Sequence, residues 1–320
     1  MASKLTKKEL LARVEYYKKW EQQIAIPNSI FETLSKDEDL MKKKAPDVAV
    51  AYTYLYYITW LYRNAKYGKM SDDATDVSGI KEVIGLSPIN KDFNYVIKKG
   101  GVLDRLDLTK TLTYKEAPIE VIWGDGLEGF LTWQKREDSK HPKQIEDEKY
   151  LGLTVNNKRK QIKYPIFALE NEYGEYGMGT FWYWENTHTV PFEVFVECMT
   201  NDNLGCTAYY IYAYLYSRCG MNCGSIEVSL EKISAVTGVR DSSRDKALDN
   251  LKKFNLIKCF ASDYIIGKGD LETPANTYKV ISEAHLFNQQ PTPYQKRKVM
   301  FKEQYEKKMA FLESIDKSYG

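Results

Sequence analysis

The sequence predicts an α+β fold, mainly α, made of two tandem winged helix-turn-helix domains related by internal duplication. Three observations predict it. The chain has 320 residues, 43% apolar and 28% charged, a globular composition with room for more than one small core. It also repeats itself: setting Gly85 on Gly238 puts Ile80 on Ile233, Val83 on Val236 and Leu86 on Val239. One extra residue in the second turn then puts Phe93 on Ala247, Ile97 on Leu251 and Val102-Leu103 on Leu256-Ile257. Lastly, each copy reads as a short helix, a glycine turn, a second helix and a β-type run, the order of a helix-turn-helix carrying a wing.

The elements divide the chain into a first domain at 1–134, a connector at 135–186, a second domain at 187–283 and a C-terminal helix at 284–320. Residues 5–24 form an amphipathic helix through Leu5, Leu10, Leu11, Val14 and Tyr17. Each copy then has a proline-containing lead-in, IAIPNSIFETL or HTVPFEVFVECM. An apolar segment follows, VAYTYLYYITWLYR or CTAYYIYAYLYSR, long enough for a three-turn helix buried on most faces. Short helices over Gly79–Ile84 and Leu230–Val236 each end at a glycine placed for a left-handed cap. Ser87-Pro88 and Asp241-Ser242 start the second helices, Ile89–Lys99 and Ser243–Phe254. The first wing pairs Val102–Leu108 with Ile119–Trp123, extending to Phe130–Trp133, and the second pairs Leu256–Ser262 with Thr277–Ile281. Lys135–Lys163 carries nine basic and five acidic residues and reads as a solvated connector or a loop on a DNA backbone. Ile162–Tyr183 is strand-like, with aromatics in a core role. The tail, Pro293–Gly320, is a helix with Phe301, Tyr305, Met309, Leu312 and Ile315 along one side, docking on the body or on a second subunit.

Composition excludes several functions. Lys and Arg total 46 against 44 Asp and Glu, so any nucleic-acid affinity comes from local placement of charge. The longest apolar stretch, Val48–Tyr62, is too short to span a membrane. With no secretory leader pattern and an odd five cysteines without scaffold spacing, the expected setting is cytoplasmic. There is no phosphate-loop motif, and GEYGMG at Gly174–Gly179 reads as a turn. Zinc is not expected, because Cys219 and Cys223 form a single pair with no His close behind it. A tyrosine nicking enzyme would pair its nucleophile with a metal on closely spaced histidines, yet His188 is followed two residues on by Val190. No cofactor, no metal and no enzymatic activity are expected.

The chemistry falls on the second helix of each pair. In the C-terminal copy Ala247, Leu248, Leu251 and Phe254 make the apolar stripe, leaving Ser243, Lys246, Asn250 and Lys253 opposite. Arg240, Ser242 and Arg244 flank the helix start, where phosphates bind, and Lys268 lies in the wing loop. In the N-terminal copy Ser87 starts the helix and Asn90, Lys91, Asn94 and Lys98 face outward. Asn suits adenine and Lys suits guanine. A solvated face of mixed charge is the plain alternative.

The run from Val190-Pro191-Phe192 through Tyr214-Leu215, Ile233, Gly238, Lys246-Ala247-Leu248, Leu251 and Leu256-Ile257 resembles the winged-helix domain of RepA-type replication initiators of Gram-positive plasmids and phages. The resemblance covers about residues 187–283 and, more loosely, the N-terminal copy. It implies binding of double-stranded DNA at repeated origin sites, usually as a homodimer, with recruitment of host replication proteins and no membrane partner. It departs from the family in carrying two winged helices rather than one, and the K-A-L-x-x-L element also occurs in transcription regulators. The expected function is thus sequence-specific DNA binding in plasmid or phage replication initiation. The alternatives are a winged-helix transcriptional regulator and a docking scaffold that does not bind DNA.

Overall fold

The computed structural model describes residues 4–113, 116–123, 131–134, 161–261, 264–266, 275–297 and 299–319, less positions 16, 18, 43–45, 65, 68, 69, 119, 172 and 176. It is α+β, rich in helix, with small and mostly antiparallel sheets. The elements run α1 (Lys7–Arg13), β1 (Ile26–Pro27), α2 (Ile30–Ser35), α3 (Glu38–Lys42), α4 (Pro46–Arg63), α5 (Asp72–Thr75), α6 (Val77–Val83), α7 (Asn94–Ile97) and α8 (Val102–Arg105). Next come β2 (Thr109–Thr113), β3 (Glu120–Trp123), β4 (Leu131–Gln134), β5 (Gln161–Pro165), α9 (Ile166–Leu169), β6 (Thr187–His188), α10 (Phe192–Thr200) and α11 (Cys206–Met221). The chain closes with β7 (Ile226–Val228), α12 (Leu230–Thr237), α13 (Asp241–Lys253), β8 (Ile257–Phe260), β9 (Tyr264–Ile266), β10 (Asn276–Val280), β11 (Val299–Phe301) and α14 (Lys302–Tyr319).

The two Tyr-rich helices, α4 and α11, pack on each other at the centre. Both are apolar all round because neighbours cover every face. Their tyrosines are mostly core residues, and several hydroxyls find internal acceptors: Tyr56 donates to the Val190 carbonyl (2.8 Å), Tyr57 to Ala74 (3.1 Å) and Tyr212 to Ile281 (2.9 Å). Burial pushes the Tyr52, Tyr54, Tyr56 and Tyr57 hydroxyls up, away from ionisation. Rings from α10 complete the layer, with Phe192 stacked on Trp60 (centroids 4.0 Å) and Phe195 on Tyr57 (5.6 Å). Among the described residues one hydrophobic core holds residues of both copies, so the two expected domains share it.

Several expected elements differ. The leading helix stops at Arg13, with Glu15 at φ 53° just beyond. The helix expected over Ile89–Lys99 shrinks to the single turn α7. Lys81 explains part of this: buried in α6, it donates to the Asn90 carbonyl (2.5 Å) and to Asn94 Oδ1 (2.7 Å), fixing a looped path before α7. Helix α7 ends at Ile97 with Lys98 already extended, and Gly100 (φ 67°) and Gly101 make the turn that follows, where a Cβ on Gly101 would lie 2.5 Å from the Tyr95 carbonyl oxygen. Val102 and Leu103 begin a helical turn rather than a strand. The strand starts at Thr109, and β2 pairs with β5, Thr109 opposite Pro165. Residues 120–123 form their own hairpin with 131–134. Asp104 fastens this end of the copy, accepting from Lys163 Nζ (2.6 Å), Thr109 (2.6 Å), Thr111 (2.8 Å) and the Gly100 amide (2.9 Å). The strand-like reading of 162–183 holds only for β5, since α9 and turns follow. The tail helix begins at Lys302 rather than near Pro293, and Phe301 and Phe311 stand exposed on the surface.

The C-terminal copy adopts its second helix in full, as α13, and its strands β8 and β10 pair with Tyr278 opposite Cys259 and Lys279 opposite Lys258. Sequence reasoning missed β7, which pairs with β10 on its other side and makes a three-stranded sheet in the order β7-β10-β8.

Candidate nucleic-acid interface

Helices α12 and α13 meet across a turn whose geometry the residues dictate. Ser229 caps α12, its hydroxyl accepting from the Lys232 amide (3.2 Å). Gly238 ends it at φ 68°, ψ 7°, its amide donating to the Ser234 carbonyl (2.8 Å). Arg244 locks the pair from within. Its Nη1 donates to the Leu230 carbonyl (2.8 Å), the Ser234 hydroxyl (2.9 Å) and Asp241 (2.8 Å), and Asp245 accepts from Nε (2.9 Å). The Ser234 hydroxyl in turn donates to Asp241 (2.9 Å), closing a ring of contacts between the helices.

This corrects two of the expected contacts. Arg244 is buried and staples α12 to α13. Asn250 is buried as well, its amide donating to the Asn203 carbonyl in the loop before α11. Neither presents a polar group outward. Arg240, Ser242 and Lys246 are exposed, with Ser243 and Lys253 partly so. Lys253 pairs with Asp249 at 2.6 Å. The open face of α13 is therefore Ser242, Lys246 and Lys253, with Arg240 at its start. In the N-terminal copy the structure separates the expected set. Lys91 and Lys98 are exposed, Ser87 and Asn90 are half-buried, and Asn94 spends its side-chain oxygen on Lys81. Lys268 lies outside the described residues.

Three features of this surface escaped the sequence reading. Asp241, Asp245 and Asp249 follow one another at four-residue spacing, an acidic stripe beside the open face that is legible in the sequence once the helix is known. Lys258 and Lys279 sit directly opposite on neighbouring strands, both exposed. Like charges so placed weaken a sheet, and an anion above them would relieve the repulsion. The segment after β10 also returns to α13. The Thr292 amide donates to the Lys253 carbonyl (3.0 Å), the Tyr294 hydroxyl donates to Asp249 (2.6 Å), and Lys252 lies over the Tyr294 ring (4.3 Å). It brings Lys296 and Arg297 to the rim of a cavity of about 400 Å³ between α13 and the strands.

Among the described residues no cluster of His, Cys, Asp and Glu has the makings of a metal site. Cys198 and Cys219 are buried, and Cys223 is exposed. No described helix is long and apolar enough to cross a membrane. No protein family, curated protein or solved structure matches this chain.

Proposed function

We propose that this chain is a sequence-specific double-stranded DNA-binding protein, a replication initiator or origin-binding protein of a plasmid or phage. It acts by site recognition and by recruiting host replication proteins, without chemistry of its own. The observation that carries this reading is the element order of the C-terminal copy. Helix α11, strand β7, helices α12 and α13 across a left-handed glycine, then β8 and β10 closing on β7, follow the order of a winged helix. In that order α13 is the helix that enters a major groove, and its open face carries Ser242, Lys246 and Lys253. Arg240 and the Lys258–Lys279 pair are positioned for phosphates. The resemblance to RepA-type initiators supplies the biological role, which a transcription regulator with the same contacts would share.

A docking scaffold is the second reading, and the Asp241–Asp245–Asp249 stripe favours it, because carboxylates repel phosphates. Selection of duplexes from a random fragment library at about 150 mM salt decides between them. Enrichment of one motif supports DNA reading, and its position at an origin or a promoter assigns the role. Weak binding that is sensitive to salt and enriches nothing overturns DNA reading in favour of the scaffold.

A further inference from the structure

The two copies are related by an approximate two-fold axis inside one chain. Aligning the lead-ins sets Pro27 on Pro191, which puts Ile24 on His188 and Ser35 on Met199. Strands β1 and β6 belong to these equivalent lead-ins, and they pair with each other antiparallel, Ile26 opposite His188. Residue 26 of one copy thus faces the counterpart of residue 24 in the other. That register belongs to a dyad passing between Ala25 and Thr189.

The turns give the same answer independently. A Cβ on Gly238 would lie 3.3 Å from Ser35 Cβ, and a Cβ on Gly85 would lie 3.6 Å from the carbonyl oxygen of Met199, the counterpart of Ser35. Each copy's helix-turn-helix is therefore backed by the lead-in helix of the other. Between them α4 and α11 cross, with Tyr52 against Tyr209 and Tyr210 (5.9 and 5.3 Å) and Tyr56 against Tyr209 (5.2 Å). A hydrogen bond from Cys206 Sγ to the Ile84 carbonyl (3.3 Å) adds to the exchange.

Resting on the DNA-binding reading, we infer that the chain is a built-in pseudo-dimer whose target is one duplex with two inverted, unequal half-sites, bound by a single chain. Two reading heads related by a dyad meet sequences related by the same dyad, as in helix-turn-helix dimers. Modules on a flexible linker would accept direct repeats as well, but a shared core fixes their relative orientation. The half-sites are unequal because the heads are. Helix α13 has 13 residues, whereas α7 has four and is flanked by the exposed cations Lys91, Lys98 and Lys99. The expected motif is an information-rich half read by α13 and a weaker inverted half held by its phosphates.

The full chain is tested on the duplex selected above. Stoichiometry is measured by native mass spectrometry, and affinity is compared for the selected site, for the strong half repeated in direct orientation over a range of spacings, and for the strong half alone. One chain per duplex is expected, with the inverted site bound about tenfold or more tighter than either alternative. Equal affinity for the direct arrangement, or two chains on one inverted site, would overturn the pseudo-dimer while leaving DNA recognition standing. Failure to select any motif would remove DNA recognition itself, and the pseudo-dimer's target with it.

Discussion

Replacing Arg244 by Met separates two roles that the residue's position at a helix start would allow. If the guanidinium staples α12 to α13, the variant loses stability and the folded protein still binds. If it touches phosphate, the reverse holds. The structure sets the size of the first effect. The side chain is 6% exposed, whereas its partners Asp241 and Asp245 are 76% and 55% exposed. Those two ion pairs therefore contribute at most about 1 kcal/mol each. The larger loss is the charge-assisted hydrogen bond from the buried guanidinium to the Leu230 carbonyl, at about 1.5–3 kcal/mol, while Ser234 keeps Asp241. Met retains much of the apolar stem contact, so the expected destabilisation is about 3 kcal/mol. At about 2.1 cal/mol/K per residue, a chain of 320 residues unfolding around one core loses about 1.5 °C per kcal/mol, so Tm falls by roughly 4–5 °C. Thermal unfolding followed by circular dichroism reads it, and fluorescence anisotropy with the selected duplex at about 10 °C, well below the transition, reads affinity. Affinity within about threefold of the parent is expected. A Tm unchanged to within about 1 °C, together with a tenfold or greater loss of affinity, would refute the staple.

Lys246→Ala gives the mirror image: stability within about 0.5 kcal/mol of the parent and affinity lower by about 1–3 kcal/mol, with unchanged affinity removing α13 from the interface. Lys258→Glu relieves the cross-strand repulsion with Lys279, so urea unfolding should show a gain of about 0.2–1 kcal/mol. In the same variant the slope of log K against log salt should shrink by about 1, and an undiminished slope would clear that strand of phosphate contact. His188 predicts a pH dependence. Tyr52 donates to its Nε2 (2.7 Å), and because Asn28 Oδ1 (3.0 Å) can only accept, Nδ1 carries the proton of a neutral ring. Burial, with the Arg218 charge adding to it, pushes the pKa down to about 3. A folded pKa below the unfolded value near 6.5 gives stability that is complete above about pH 6.5 and lost on acidification, at up to about 1.4 kcal/mol per unit down to about pH 3. His188→Gln should flatten that limb relative to the parent, and parallel acid curves for the two would show that His188 does not carry it.

The helix-turn-helix of the C-terminal copy was legible because its signals are local. Gly238 can take φ 68° without a Cβ penalty, and Ala247, Leu248 and Leu251 mark the inner face of α13 at helical spacing. The same local reading failed in the N-terminal copy. Ser87-Pro88 is a valid start signal, but Lys81 reaching to Asn90 and Asn94 overrides it through contacts that no spacing rule contains. Strand β7 was missed because three residues in MNCGSIEV carry too little periodicity and are held by Asn276, Thr277 and Tyr278 far along the chain. The candidate site was half legible for the same reason. Spacing places Ser243, Lys246, Asn250 and Lys253 outward, but it cannot know that the Asn203 carbonyl waits for Asn250, or that Leu230 waits for Arg244 at the helix start.

The duplication and the fold constrain each other. Both copies keep what the shared interior uses: the lead-in proline, the aromatic helix, and the first helix with its glycine turn backed by the other copy's lead-in. They differ where no partner reaches, in the length of the second helix and in the strands after it. Independent domains would show no such division, because each would need its own complete core. Phe31 illustrates the dependence. It lies in the N-terminal lead-in, yet its ring packs on Tyr210 (5.6 Å) and Tyr214 (5.5 Å) of the C-terminal copy as well as on Tyr52 (5.7 Å) and His188 (5.1 Å). Removing it would loosen the support of α13 from the far side of the dyad. The N-terminal second helix could shorten to one turn because it lies outside this exchange, whereas the Gly85 turn before it could not be lost without opening the face that Met199 covers. The N-terminal lead-in and the Gly238 turn are thus held against each other, as are the C-terminal lead-in and the Gly85 turn.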